Sequence, residues 1–105
     1  MLFRKKEKKS VTTTELENII TQNDIAVIDV REEDEFASGH IKQAKNIPLS
    51  KLAIQLAKIP KDQDVYLICQ SGMRSQRAYS HLKKSGYDNV KNVRGGMMAW
   101  RGTLS

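Results

Sequence analysis

Short apolar runs and amphipathic stretches take turns along this chain, and their periods predict its elements. Thr12 to Thr14 supply a capping signal for a helix over 15–20 with Leu16, Ile19 and Ile20 on one face. Residues 25–30 form a strand that is apolar on both faces until Asp29. An acidic stretch over 32–38 predicts a short helix closed by Gly39, its carboxylates suited to the positive end of the helix dipole. Residues 46–48 predict a brief strand that Pro48 ends, which suits the edge of a sheet. Ser50 then caps a helix over 51–57, with Leu52, Leu56 and Ile59 at helical spacing.

The second half repeats the alternation. Residues 65–69 form a continuous apolar run of the kind found in buried parallel strands. After the polar turn 70–74, Ser75 is a natural N-cap for a helix over 75–85, and Gly86 its C-cap. A last strand over 90–93 leads through Gly95 and Gly96 to a short helix over 97–100. Strands alternating with helices predict an α/β fold, a mainly parallel central sheet flanked by helices. Such sheets bind ligands beyond the carboxyl ends of their strands, where Asp29, Cys69 and Gly95 all fall.

The chain has 105 residues, 39% hydrophobic and 29% charged, enough for one domain with one modest core. Its longest apolar run is far short of the ~20 residues that cross a membrane, and its basic N-terminus lacks the apolar core of a signal peptide. Of the net charge of +6, residues 4–9 carry +4, which sets off residues 1–9 as a basic flexible tail from a domain over 10–105. The tail has no interleaved aromatic platform for stacking bases, so it reads as a solvated terminus rather than a nucleic-acid site. A single cysteine forms no intrachain disulfide, which suits a reducing, cytoplasmic setting. There is no CxxC and no His/Cys cluster, so neither a metal site nor another cofactor is implied.

That cysteine, Cys69, carries the chemistry. It ends the central strand, faces a loop with few obstructing side chains, and precedes a helix N-terminus. Gly72 permits positive φ at the sharpest point of the loop, so successive amides can converge into an anion-binding nest. Arg74, and Arg77 one turn later, add positive charge. Together these features stabilise a thiolate and attract an anionic substrate. The other reading of a lone cysteine, a small buried hydrophobe, accounts for neither the loop nor the arginines.

The chain resembles the single-domain rhodanese family from about Thr12 to Gly102. The matching stretches are residues 29–32, 35–41, 44–48, 69–75 and 95–100. The resemblance implies a ping-pong transfer of sulfane sulfur through a persulfide on Cys69, with the amides of Gln70, Ser71, Gly72, Met73, Arg74 and Ser75 cradling it. It further implies a small anionic donor such as thiosulfate. With no second cysteine to resolve the persulfide, the acceptor is an external thiol or a protein.

Two rivals are a non-catalytic module that binds partners or senses sulfide, and a cysteine-dependent phosphatase or arsenate reductase. Four residues separate Cys69 from Arg74, one fewer than in the phosphatase loop, which suits one sulfur atom better than a phosphate. For Asp29 and Arg31 two readings stand side by side: pairing with Arg74 or the loop amides, or a structural ion pair that fixes the chain after its strand. His40 is expected to bond locally, His81 and the 32–35 acidic run to face solvent, and Trp100, Met97 and Met98 to pack the last helix onto the sheet, one or two of the methionines also walling the substrate mouth.

Overall fold

A computed structural model describes residues 8–105, so residues 1–7 of the expected tail lie outside the described part. In chain order the elements are β1 (Ser10–Val11), α1 (Thr13–Ile19), β2 (Ile25–Asp29), α2 (Glu33–Ala37), β3 (Ala44–Asn46), β4 (Asp64–Ile68), α3 (Met73–Lys84), β5 (Val90–Val93) and α4 (Gly96–Ala99). Two 3-10 turns, Leu49–Ile54 and Leu56–Lys58, join β3 to β4.

The five strands are parallel throughout and lie in the order β1-β5-β4-β2-β3. Alternation along β4 divides the core between the two faces. Val65, Leu67 and Cys69 join Ala78 and Leu82 of α3, together with Leu52, Ile59 and Tyr87, on one face. Tyr66 and Ile68 join Val11, Leu16 and Ile41 on the other, where Met97 and Trp100 pack against them. Asp29 of β2 stands beside Ile68 of β4. From these two neighbours the chain leaves in opposite directions, β2 toward β3 and β4 toward β5, which opens a crevice at their carboxyl ends.

Local chemistry accounts for most element ends. Thr12 Oγ1 accepts the Glu15 amide at 3.0 Å, and the Glu15 carboxylate accepts the Thr12 amide at 2.9 Å, a reciprocal cap for α1. Elsewhere the structure departs from expectation. The edge strand is shifted to Ala44–Asn46, because Ala44 and Asn46 register with Val27 and Asp29. The expected helix over 51–57 is instead the pair of 3-10 turns. Leu49 and Leu52, then Leu56 and Ile59, reach the core at intervals of three, the repeat of that tighter helix. Ser50 does not cap it; its hydroxyl donates to the Glu32 carboxylate.

Gly72, not Ser75, precedes α3, and its φ of +105° makes the left-handed entry that a residue with a Cβ adopts only under strain. β1 is two residues long and left no periodic trace in the sequence; Lys9 O already accepts the Asn92 amide there. The C-terminus also returns to the fold, with Ser105 and His40 exchanging backbone hydrogen bonds at 2.7 and 3.2 Å.

Candidate active site

β4 delivers Cys69 to the crevice with its side chain on the α3 side of the sheet, only 1% exposed. The loop then turns back over it. The amides of Gly72 and Ser75 donate to Cys69 Sγ at 3.1 and 3.2 Å, and Ser75 Oγ lies 3.3 Å from the same sulfur. Ser75 is thus buried inside the first turn of α3, within the nest rather than at its edge. Burial pushes the thiol up, but hydrogen bonding by the Ser75 hydroxyl and the amides of Ser75, Gly72 and Ser71 together outweighs it and brings the thiol below its ordinary value.

A second glycine turn supports the loop from behind. Met97 N donates to Cys69 O at 2.8 Å and Met98 N to Gln70 O at 3.0 Å, so the start of α4 fixes the two carbonyls at the head of the loop. Met73 and Met98 are 72% and 71% exposed, on the loop and beside it. Met98 therefore does not pack onto the sheet as expected, whereas Met97 and Trp100 do.

Asp29 and Arg31 pair with each other. Arg31 Nη2 meets Asp29 Oδ2 at 2.8 Å, Nε lies 3.1 Å from both carboxylate oxygens, and the pair is buried. Arg31 also donates to Gly39 O at 2.8 Å and reaches Gln70 Oε1 at 3.5 Å, so this structural pair touches the loop at one side chain. Asn46 Nδ2 closes the same corner by donating to Asp29 O and Arg31 O.

Arg74 turns to a partner that the sequence reading left in solvent. Its Nη1 and Nη2 donate to Glu35 Oε1 and Oε2 at 2.6 and 2.8 Å. The Arg74 hydrogen bonds hold the Glu35 carboxyl at about 2. Its position three residues after Glu32, the helix-cap spacing, was the one local sign that Glu35 is held in place. Arg77 and His81 are exposed on the outer side of α3, beside Leu49 and Ala53. His40 stacks on Phe36 and bonds Phe36 O at 2.8 Å, a local role. Among the described residues no cluster of three or more His, Cys, Asp or Glu stands where it would hold a metal ion, and no helix is long and apolar enough to cross a membrane.

Comparison with known proteins agrees with this architecture. A protein of Allochromatium vinosum named sulfurtransferase is 42% identical over 77 residues, covering 73% of this chain and 72% of its own. The putative sulfurtransferase YtwF of Bacillus subtilis is 40% identical over 97 residues, 91% of this chain and 93% of its own. The crystal structure of a rhodanese-like domain protein from Staphylococcus aureus superposes with a TM-score of 0.85 at 36% identity, covering 92% of this chain and 96% of that one. Residues 12–103 match the family model described as the Rhodanese-like domain. With its parallel sheet and its cysteine loop at the carboxyl end of the central strand, the chain belongs to the rhodanese-like family.

Proposed function

We propose that the protein is a sulfurtransferase that carries sulfane sulfur as a persulfide on Cys69. The observation that carries this reading is the convergence of the Gly72 amide, the Ser75 amide and Ser75 Oγ on one sulfur atom. Donors so arranged favour a thiolate and then a persulfide anion, without a general base. The sulfurtransferase names of the A. vinosum and B. subtilis relatives support it.

In the first half-reaction the Cys69 thiolate attacks the outer sulfur of a donor such as thiosulfate. A bond forms between Sγ and that sulfur, the S–S bond of the donor breaks, and its electron pair leaves on sulfite. The loop amides of Gln70 to Ser75 hold the persulfide. An external nucleophile, a thiol or a protein group, then attacks the outer sulfur, and Cys69 departs as thiolate.

Intact mass measurement after exposure to thiosulfate tests the reading. One reducible sulfur atom should appear on the native protein and none on Cys69→Ser. An unchanged native mass, under conditions that load a control rhodanese, would favour a binding or sensing module. Hydrolysis of a phosphate ester by the same sample would favour a phosphatase.

A further inference from the structure

Two arginines border the cysteine loop, and each is already matched by a carboxylate of the protein. Arg31 is matched by Asp29, and Arg74 by Glu35. The second pairing is two-pronged and pre-arranged. Glu35 Oε1 also accepts the Glu32 amide at 3.1 Å, which anchors the carboxylate to the start of α2 and aims it across 39 residues of sequence at the loop. The thiol, meanwhile, is brought down chiefly by amides and the Ser75 hydroxyl, and Arg74 interacts more strongly with the Glu35 carboxylate than with the sulfur.

We propose that Glu35 is a specificity-determining residue, which cancels the charge of Arg74 beside the Cys69 mouth and thereby selects sulfur donors of low charge, such as alkyl persulfides, over dianions such as thiosulfate. The inference rests on the sulfur-transfer reading and names its donor class. With a persulfide R–S–SH, the Cys69 thiolate bonds to the outer sulfur, the donor S–S bond breaks, and the thiolate R–S⁻ leaves with the electron pair. The proton stays on the transferred sulfur. No second negative charge has to enter the mouth, whereas thiosulfate brings two and leaves two on sulfite. Arg94 is exposed just beyond β5 at the same pole, and its charge is common to every variant below.

Glu35→Gln removes one charge and keeps the cap, since glutamine serves at the same helix position as glutamate. The first readout uses no sulfur donor. Cys69 is alkylated at low salt by iodoacetate, an anion, and by iodoacetamide, its neutral analogue. In Glu35→Gln the ratio of the two rates should rise about twofold or more over native, the order expected when one negative charge is removed beside a water-filled mouth. Arg74→Gln should shift the ratio the opposite way, and Glu35→Gln/Arg74→Gln should return it toward the native value, the net charge being restored. Salt should shrink all three differences.

The second readout is steady-state transfer. In Glu35→Gln the KM for thiosulfate should fall while the KM for an uncharged-side-chain alkyl persulfide moves much less, with kcat for the persulfide little altered. An ion pair that served stability alone would lower the melting temperature and leave both ratios in place. An unchanged or reversed iodoacetate-to-iodoacetamide ratio in folded Glu35→Gln overturns the proposal, and if that variant does not fold, an unchanged ratio in Arg74→Gln does so. A native protein that no donor loads would defeat the sulfur-transfer reading, and with it the donor class, while the alkylation ratio would still report whether Glu35 sets the charge of the mouth.

Discussion

Gly96 stands so close to Cys69 that a Cβ built on it would lie 2.3 Å from the Cys69 carbonyl oxygen. The closeness lets the neighbouring Met97 amide hold that carbonyl at 2.8 Å, so the head of the cysteine loop is fixed from behind by backbone alone. Gly96 also has a φ of +57°. Gly96→Ala should therefore cost about 2–4 kcal/mol through overpacking and backbone strain, and should slow sulfur transfer by displacing the loop. Urea unfolding and the transfer assay on one sample check this, and an alanine variant as stable and active as native would contradict the close approach.

Ser75→Ala removes the hydroxyl 3.3 Å from Cys69 Sγ and keeps the Ser75 amide donor. The thiol should move up toward its ordinary value, because one of the groups that lower it is gone. The pH midpoint of Cys69 alkylation measures the move. A midpoint that stays where native has it would assign the lowering to the amides alone.

The Glu35 carboxyl is held at about 2 against an ordinary 4.5 by its hydrogen bonds with Arg74. A folded value below the unfolded one means that the pair adds stability above pH 4.5 and loses it as pH falls from 4.5 toward 2. Native protein should therefore lose stability across that window more steeply than Glu35→Gln, by a modest amount because the pair is partly solvated. Urea midpoints at the two ends of the window decide the matter; equal losses in both proteins would mean that the pair is not formed in solution.

Asp29→Asn leaves the guanidinium of Arg31 buried without its charge partner. Both side chains are at most 5% exposed. The expected loss is about 3–5 kcal/mol, and Asp29→Asn/Arg31→Met should recover part of it by removing the stranded charge. Denaturant unfolding of the single and double variants gives the comparison. A double variant less stable than the single one would show that Arg31 acts mainly through Gly39 and Gln70.

The elements legible from the chain were those built on local rules. Residues 65–69 read as a strand with both faces buried, as β4 is, and the capping signal at Thr12 to Thr14 marked the helix start that Thr12 and Glu15 close. Cys69 stood out for the same kind of reason, an end-of-strand cysteine followed by a glycine turn and a helix. Less legible were segments where two local signals compete. At the entry to α3 the capping signal of Ser75 gave way to the turn at Gly72, with the Ser75 hydroxyl buried against Cys69, and after β3 the cap expected at Ser50 gave way to a turn in which Leu49 and Leu52 reach the core three residues apart.

By itself the sequence determined the alternation of strands and helices, the place of Cys69 at a strand end, and the turn that surrounds it, because each depends on neighbours within a few residues. Only the tertiary structure decided which partners the charged side chains took. Arg74 and Glu35 lie 39 positions apart, and Gly96 meets Cys69 from the start of α4. An arginine beside a cysteine looks like a thiolate's counter-charge until the fold brings a carboxylate within 2.6 Å of it. Charges act through space, and chain order carries no record of which distant groups the sheet will bring into that space.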